Sequence, residues 1–195
     1  MKTDVIVVSS TGGQMEKALE QVDKVASYKE LSPKNTIHLR LLAEEMMGMM
    51  RSITGEQEGR FWIEDDDGVY QLHLVVNTRM DMDKREKLLS ASSSGKNEAA
   101  RGLMGRLRDF FDQGADGPSL PLYSEMQGDF TSSTLSWEWS MTVYQDTLRQ
   151  WTDKDEQARE IWDELEKSVV THVADDVKVA IRGQKAELVI IKKMN

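Results

Sequence analysis

Between Phe61 and Val76 the chain reads Phe-Trp-Ile-Glu-Asp-Asp-Asp-Gly-Val-Tyr-Gln-Leu-His-Leu-Val-Val, and this stretch decides the fold. Two β-rich runs flank an acidic segment that ends in Asp67-Gly68, a dipeptide typical of the tight turn of a β-hairpin. The acids lack the alternating ligand spacing of a calcium loop, so we interpret them as a solvated hairpin tip. The stretch therefore predicts two antiparallel strands.

Upstream of this hairpin, the sequence predicts one short strand and two helices. Val5 to Val8 is a β-branched run that ends in a Ser, Thr and Gly turn. Apolar residues then recur at three- and four-residue steps, which predicts a helix over Gln14–Leu31. Ser32-Pro33 supplies an N-cap and a first-turn proline for a second helix over Pro33–Thr54. That helix is apolar around most of its circumference, so we expect it at the centre of the fold.

Downstream, the pattern is looser until the C-terminal region. Leu103, Leu107, Phe110 and Phe111 indicate a helix over residues 97–112. Residues 135–143 alternate as a strand would, but the helical stripe continues to Trp151, so we favour a helix from Trp137. A last helix is predicted over Gln157–Ala174. A terminal hairpin, Val177–Ile181 with Ala186–Ile191, follows it.

This order predicts an α+β two-layer sandwich with helices on one face of a mixed, mostly antiparallel sheet of about five strands. One domain over residues 1–195 is expected from the length. Its core would come from 1–82 and 158–195, with a helical, lid-like insertion at 83–157.

Composition excludes several classes of function. The 34 acidic and 25 basic residues give a net charge of −9, which argues against a nucleic-acid partner. The absence of cysteine excludes disulfides, thiolate metal sites and a Cys nucleophile. No apolar stretch is long enough for a membrane helix or a signal peptide, so we expect a cytoplasmic chain without a membrane partner.

The order of elements resembles the histidine-kinase-like ATPase fold, and in outline its anti-sigma-factor kinases. Leu39 to Met50 looks like the helix that carries the family's N-box, Leu72 to Arg79 like the strand before its Asp-x-Gly-x-Gly motif, and Leu165 to Val179 like its closing helix and strand. The likeness covers roughly residues 1–80 and 158–195 and is one of topology.

The resemblance implies which residues would serve a nucleotide. Glu45 matches the Glu that activates a water in the family, but Met49 stands where its Mg²⁺-binding Asn belongs. Asn77 replaces the Asp that binds adenine, and the glycines after it are missing. An acidic segment, Asp153 to Glu160, stands where the family's phosphate-binding glycine box belongs, and its charge would repel a triphosphate. The only glycine-rich candidate for that box contains Gly102 and Gly105.

We therefore expect a regulatory module that binds a protein partner and has little or no affinity for nucleotide, with no metal or cofactor. The alternative is a functional ATP·Mg²⁺-binding protein or an anti-sigma-factor-type Ser/Thr kinase that uses Glu45, Asn77 and the Gly102–Gly105 segment. The insertion would carry the partner surface.

The roles of the clustered methionines and of the histidines remain open. The methionine cluster is either core filler or a peptide groove. The three histidines lack the spacing of a helical metal site, so a structural or surface role is favoured for each. The methionines are Met46, Met47, Met49 and Met50, and the histidines His38, His73 and His172.

Overall fold

A computed structural model describes residues 1–9, 13–54, 58–77, 136–154, 156–182 and 185–194. The expected helices before the hairpin and both hairpins are confirmed, with bounds within a few residues of the prediction. The predicted helix over 97–112 lies outside the described residues. In chain order the elements are β1 (Ile6–Ser9), α1 (Gly13–Tyr28), α2 (Pro33–Thr54), β2 (Glu58–Asp66), β3 (Val69–Asn77), β4 (Ser136–Ser140), α3 (Met141–Trp151), α4 (Glu156–Glu166), α5 (Val169–Val173), β5 (Asp176–Arg182) and β6 (Lys185–Lys193).

The described strands form one six-stranded sheet in the order β1-β2-β3-β6-β5-β4. Every pairing among these strands is antiparallel, so the parallel component of the expected mixed sheet is not found in them. The helices pack on one face of this sheet, and the α+β two-layer architecture is confirmed. None of the described helices is long and apolar enough to cross a membrane.

The turn between β2 and β3 has the geometry that its sequence predicts. Asp66 pairs with Val69, which leaves Asp67 and Gly68 as a two-residue loop. Both loop residues have positive φ, 48° for Asp67 and 83° for Gly68. Positive φ at both central positions defines the type I′ turn that matches the twist of a hairpin, and Asp-Gly tolerates it well.

Alternate residues of the strands face the helices and form the core. Phe61, Leu74 and Leu188 occupy one cross-strand row, and the rows beside it are equally apolar. The clustered methionines of α2 lie against this face and are at most 1% exposed. The core-filler interpretation of the methionines is thus correct, because side chains that are buried in the core do not line a groove open to a peptide.

One correction concerns the stretch from Trp137 to Ser140, which we predicted as the start of a helix. It is strand β4, paired with β5, and the helix begins only at Met141. Strand pairing with β5 outweighs the helical spacing, and Ser140 then caps α3 by accepting a hydrogen bond from the Val143 N–H at 3.5 Å. The sheet therefore extends into residues that we assigned to the helical insertion.

A second correction concerns the helix predicted over Gln157–Ala174. It is broken into α4 and α5, because Ser168 adopts an extended backbone with φ −78° and ψ 130°. The Thr171 hydroxyl lies 2.8 Å from the Leu165 carbonyl and 2.7 Å from that of Ser168, so carbonyls exposed by the break have a donor.

The N-terminal residues lie along β2 and contain a β-bulge. Lys2 pairs with Glu64, and the Thr3 N–H donates to the Ile63 carbonyl at 2.9 Å. Further along, Ile6 pairs with Phe61. Two residues, Asp4 and Val5, therefore oppose Trp62 alone, which is the arrangement of a bulge. Beyond the bulge, β1 is the edge strand of the sheet.

Candidate functional site

Glu45, the predicted catalytic residue, lies on α2 and is half-buried. Burial raises the pKa of its carboxyl group above the usual value, and the neighbouring charge of Glu44 adds to the effect. No ion pair joins Glu45 to another of the described residues. An unpaired, partly desolvated carboxylate of this kind can act as a proton acceptor if a substrate reaches it.

The position one helical turn beyond Glu45 does not fit a magnesium site. Met49 is 0% exposed and belongs to the hydrophobic core. Its thioether is a poor ligand for Mg²⁺, which prefers octahedral oxygen coordination. If Glu44 is matched to the family's Glu instead, the Asn position falls on Gly48, which has no side chain to coordinate a metal. In the described part of the chain, no group of three or more His, Asp or Glu side chains is placed to hold a metal ion.

Asn77, the predicted adenine-binding residue, is the last residue of β3 and is exposed. It pairs with Lys185 of β6. Alternation along β3 places it on the same face as His73 and Val75, while Val76 faces the core. The fold therefore puts Glu45 in the helix layer and Asn77 on the opposite face of the sheet. We call this second face the open face, because none of the described helices packs on it. Gly102 and Gly105 lie outside the described residues.

The open face carries a cluster that the sequence did not single out as a site. Trp62 and His73 are paired across β2 and β3, and their rings stack with centroids 4.7 Å apart and planes 6° from parallel. The Glu187 Oε1 atom is 3.5 Å from Nδ1 of His73, and Glu64 Oε2 is 3.9 Å from Nε2. The sequence did contain a signal for this pair of rings. The two-residue turn at Asp67 and Gly68 fixes the strand register, and in that register Trp62 lies opposite His73.

Glu64 holds this cluster to the N-terminal segment. Its Oε1 accepts a hydrogen bond from Trp62 Nε1 at 2.9 Å and forms an ion pair with Lys2 Nζ at the same distance. These two donors, Lys2 first, lower the pKa of Glu64. Lys2 also lies 5.2 Å above the Trp62 ring, a cation–π contact. Because Glu64 contacts both Trp62 and Lys2, we interpret the cluster as a structural one that holds the bulged N-terminal strand against β2.

The acidic hairpin tip is only partly the solvated turn that we expected. Asp66 and Asp67 are exposed, but the side chain of Asp65 is 3% exposed and pairs with Lys29 Nζ at 2.5 Å. Its Oδ1 atom also accepts a hydrogen bond from the Gly68 N–H at 3.1 Å. Burial alone would raise the pKa of Asp65, but these donors outweigh it, so the pKa is lowered. Asp65 thus joins the end of α1 to the hairpin.

The three histidines are not brought together. His38 is half-buried on α2, and its pKa is lowered by burial, with Lys192 and Lys34 adding to the effect. His73 belongs to the open-face cluster, and His172 is exposed at the end of α5.

Comparison with known proteins identifies no relative of this chain. No protein-family model, no curated protein and no solved structure matches it.

Proposed function

We propose that this chain is a regulatory protein-interaction module, with the outline of a histidine-kinase-like ATPase and without its phosphoryl-transfer chemistry. The order of strands and helices around a central α2 is what suggests the outline. The cytoplasm is the proposed compartment. The burial of Met49 is the observation that carries the proposal.

Two physical arguments support the loss of nucleotide chemistry. A metal-binding Asn would have to reach a hydrated Mg²⁺, whereas Met49 is enclosed in the core at 0% exposure. Glu45 and Asn77 lie on opposite sides of the sheet, so they cannot hold the two ends of one small ligand. What remains is a sheet and helix scaffold, whose function depends on the surfaces that it carries and not on the fold itself.

One observation favours a second candidate function. Glu45 is unpaired among the described residues and has a raised pKa, as expected for a general base. The alternative is therefore an ATP-binding protein or an anti-sigma-factor-type Ser/Thr kinase. It would need Gly102 and Gly105 as the phosphate-binding segment.

A thermal-shift titration with MgATP separates the two candidates. A ligand present at 100 times its Kd stabilises the folded state by about 2.7 kcal/mol. For a chain of this size, that raises the melting temperature by roughly 5–10 °C. We expect no shift at about 1 mM MgATP, in the parent chain or in Glu45→Gln. A Kd below about 10 µM, measured by calorimetry, would reject the proposal and favour the kinase.

A further inference from the structure

The outer edge of β1 is the one sheet edge whose side chains are described, and it carries an apolar, uncharged strand. Val5 and Val7 are 52% and 55% exposed, and they point to the open face. No charge or proline interrupts Val5–Ser9. Natural edge strands are usually protected by lysine, proline or a bulge, because unpaired main-chain groups accept a further strand.

The features that protect this edge lie at Asp4 and Val5, before the segment Ile6–Val8. The bulge at Asp4 and Val5 disrupts the edge locally. The Gln21 side chain of α1 donates to the Asp4 carbonyl at 2.7 Å, which satisfies one outward group. Among the described residues, no main-chain hydrogen bond from outside the sheet reaches Ile6, Val7 or Val8. This part of the edge retains the donors and acceptors that an extended backbone would pair with.

The side of α1 that overhangs this edge carries two lysines. Glu20 is an exposed acid beside them, but it precedes Gln21 by one residue, about 100° around the helix, and so lies farther from the edge. Gln21 faces the edge, and Asp23, two residues on, pairs with Arg40 of α2 on the opposite side of the helix. Residues three and four positions from Gln21 share its side, which places Lys17 and Lys24 above the edge. Both lysines are exposed and have no ion-pair partner among the described residues.

From these observations we propose that the β1 edge binds an extended segment of a partner protein in which apolar and acidic residues alternate. The partner's main chain would pair with Ile6–Val8, as in β-strand addition. Its apolar side chains would pack beside Val5 and Val7 on the open face, and its acidic side chains would lie on the other face, below Lys17 and Lys24. The proposal rests on the proposed function and deepens it, because it names the surface and the chemistry of the partner. It places that surface at β1, whereas the sequence led us to expect it in the insertion at 83–157, of which residues 83–135 lie outside the described residues.

A second copy of the chain fits this edge less well. Pairing β1 with its own copy across a two-fold axis would bring the two α1 helices side by side. Lys17 and Lys24 of one molecule would then face the same lysines of the other, and like charges at close range repel. A partner segment with acidic residues meets attraction at the same positions.

Nuclear magnetic resonance titration of the full chain with two short, capped synthetic peptides tests the proposal. One peptide alternates Val and Glu, and the other alternates Val and Lys. We expect the Val–Glu peptide to shift and protect the amides of Ile6–Val8 and to bind about 5- to 10-fold more tightly than the Val–Lys peptide. In the double variant Lys17→Glu, Lys24→Glu the preference should reverse. The matched control Lys34→Glu, Lys167→Glu changes the net charge equally at exposed sites elsewhere and should keep the original preference.

Several results would overturn the proposal. These are no binding of the Val–Glu peptide at about 1 mM, shifts away from β1, or equal affinity for the two peptides. Concentration-dependent dimerisation with the same amide shifts in the absence of peptide would assign the edge to a second copy instead. Failure here leaves the MgATP result unaffected, and MgATP binding would reject the proposed function without moving the β1 amides, so the two failures can be told apart.

Discussion

Asp65 is the only carboxylate that is buried among the described residues, and it is held by an ion pair and a main-chain N–H. The sequence could not distinguish it from its acidic neighbours, because nothing local shows that Lys29 comes to rest beside it. Local sequence correctly located the turn, but the burial of one acid depends on how α1 packs against the hairpin. The Lys29 side chain is 32% exposed, so removing Asp65 leaves a lysine in contact with solvent; the loss is therefore larger than for an exposed pair and smaller than for a fully buried one.

The first prediction concerns Asp65→Asn. The folded-state pKa of Asp65 is lowered, so its ionised form stabilises the fold above the unfolded-state pKa of about 4. That stability is lost as the pH falls through the folded-state pKa. We expect the variant to lose about 2 kcal/mol of unfolding free energy at pH 7 and progressively less towards about pH 3. Urea unfolding across this range measures it. The exposed control Asp66→Asn should show no such pH dependence, and an equal loss for Asp65→Asn at every pH would contradict the assignment.

The second prediction concerns Glu45→Gln, for which we expect the unfolding free energy at pH 7 to rise and not to fall. Burial raises the folded-state pKa of Glu45, so its ionised form costs stability above that pKa and the cost disappears as the pH falls through it. The variant should unfold with about 0.5–1 kcal/mol more free energy at pH 7 and with no difference at acid pH. Melting curves at both pH values provide the measurement, with exposed Glu20→Gln as the control. A destabilised variant at pH 7 would mean that Glu45 has a stabilising partner.

At the scale of elements, α1, α2 and the two hairpins could be predicted because each has one dominant local signal: period, cap or turn dipeptide. β4 and the break between α4 and α5 could not. In β4, strand alternation and helical spacing coexist, and pairing with β5 decides between them. At Ser168 the local pattern is continuously helical, and the break is visible only in the extended backbone of the fold.

The third prediction compares two glycines in different elements. Gly68 has a φ of 83°, and a Cβ atom there would lie 2.8 Å from the Met194 carbonyl oxygen. We expect Gly68→Ala to destabilise the hairpin and lower the unfolding free energy by about 1–2 kcal/mol. Gly48 lies within α2, where a Cβ meets nothing within 4 Å, so Gly48→Ala should stabilise by up to about 1 kcal/mol. Chemical denaturation of both variants checks this, and effects of the same sign would refute the reasoning.

At the scale of the whole molecule, the described helices and strands share one hydrophobic core and one sheet. The two-layer class was predictable from the amphipathic helices and hairpins, since apolar faces must be buried against one another. The candidate site was less predictable. The helical position of Glu45 followed from sequence, but the placement of Asn77 on the opposite side of the sheet depends on strand register. The edge surface at β1 depends on which strand is outermost, which no local pattern specifies.

The most direct test of this account is one amide-resolved magnetic resonance experiment in which MgATP and the Val–Glu peptide are titrated into the same sample. The central claim is that the chain is a protein-interaction module whose α2 no longer serves a nucleotide. We predict that about 1 mM MgATP leaves the amides of Glu45, Gly48 and Asn77 unmoved, and that the peptide then shifts Ile6–Val8. Saturable MgATP shifts centred on Glu45 and Gly48 would contradict the claim.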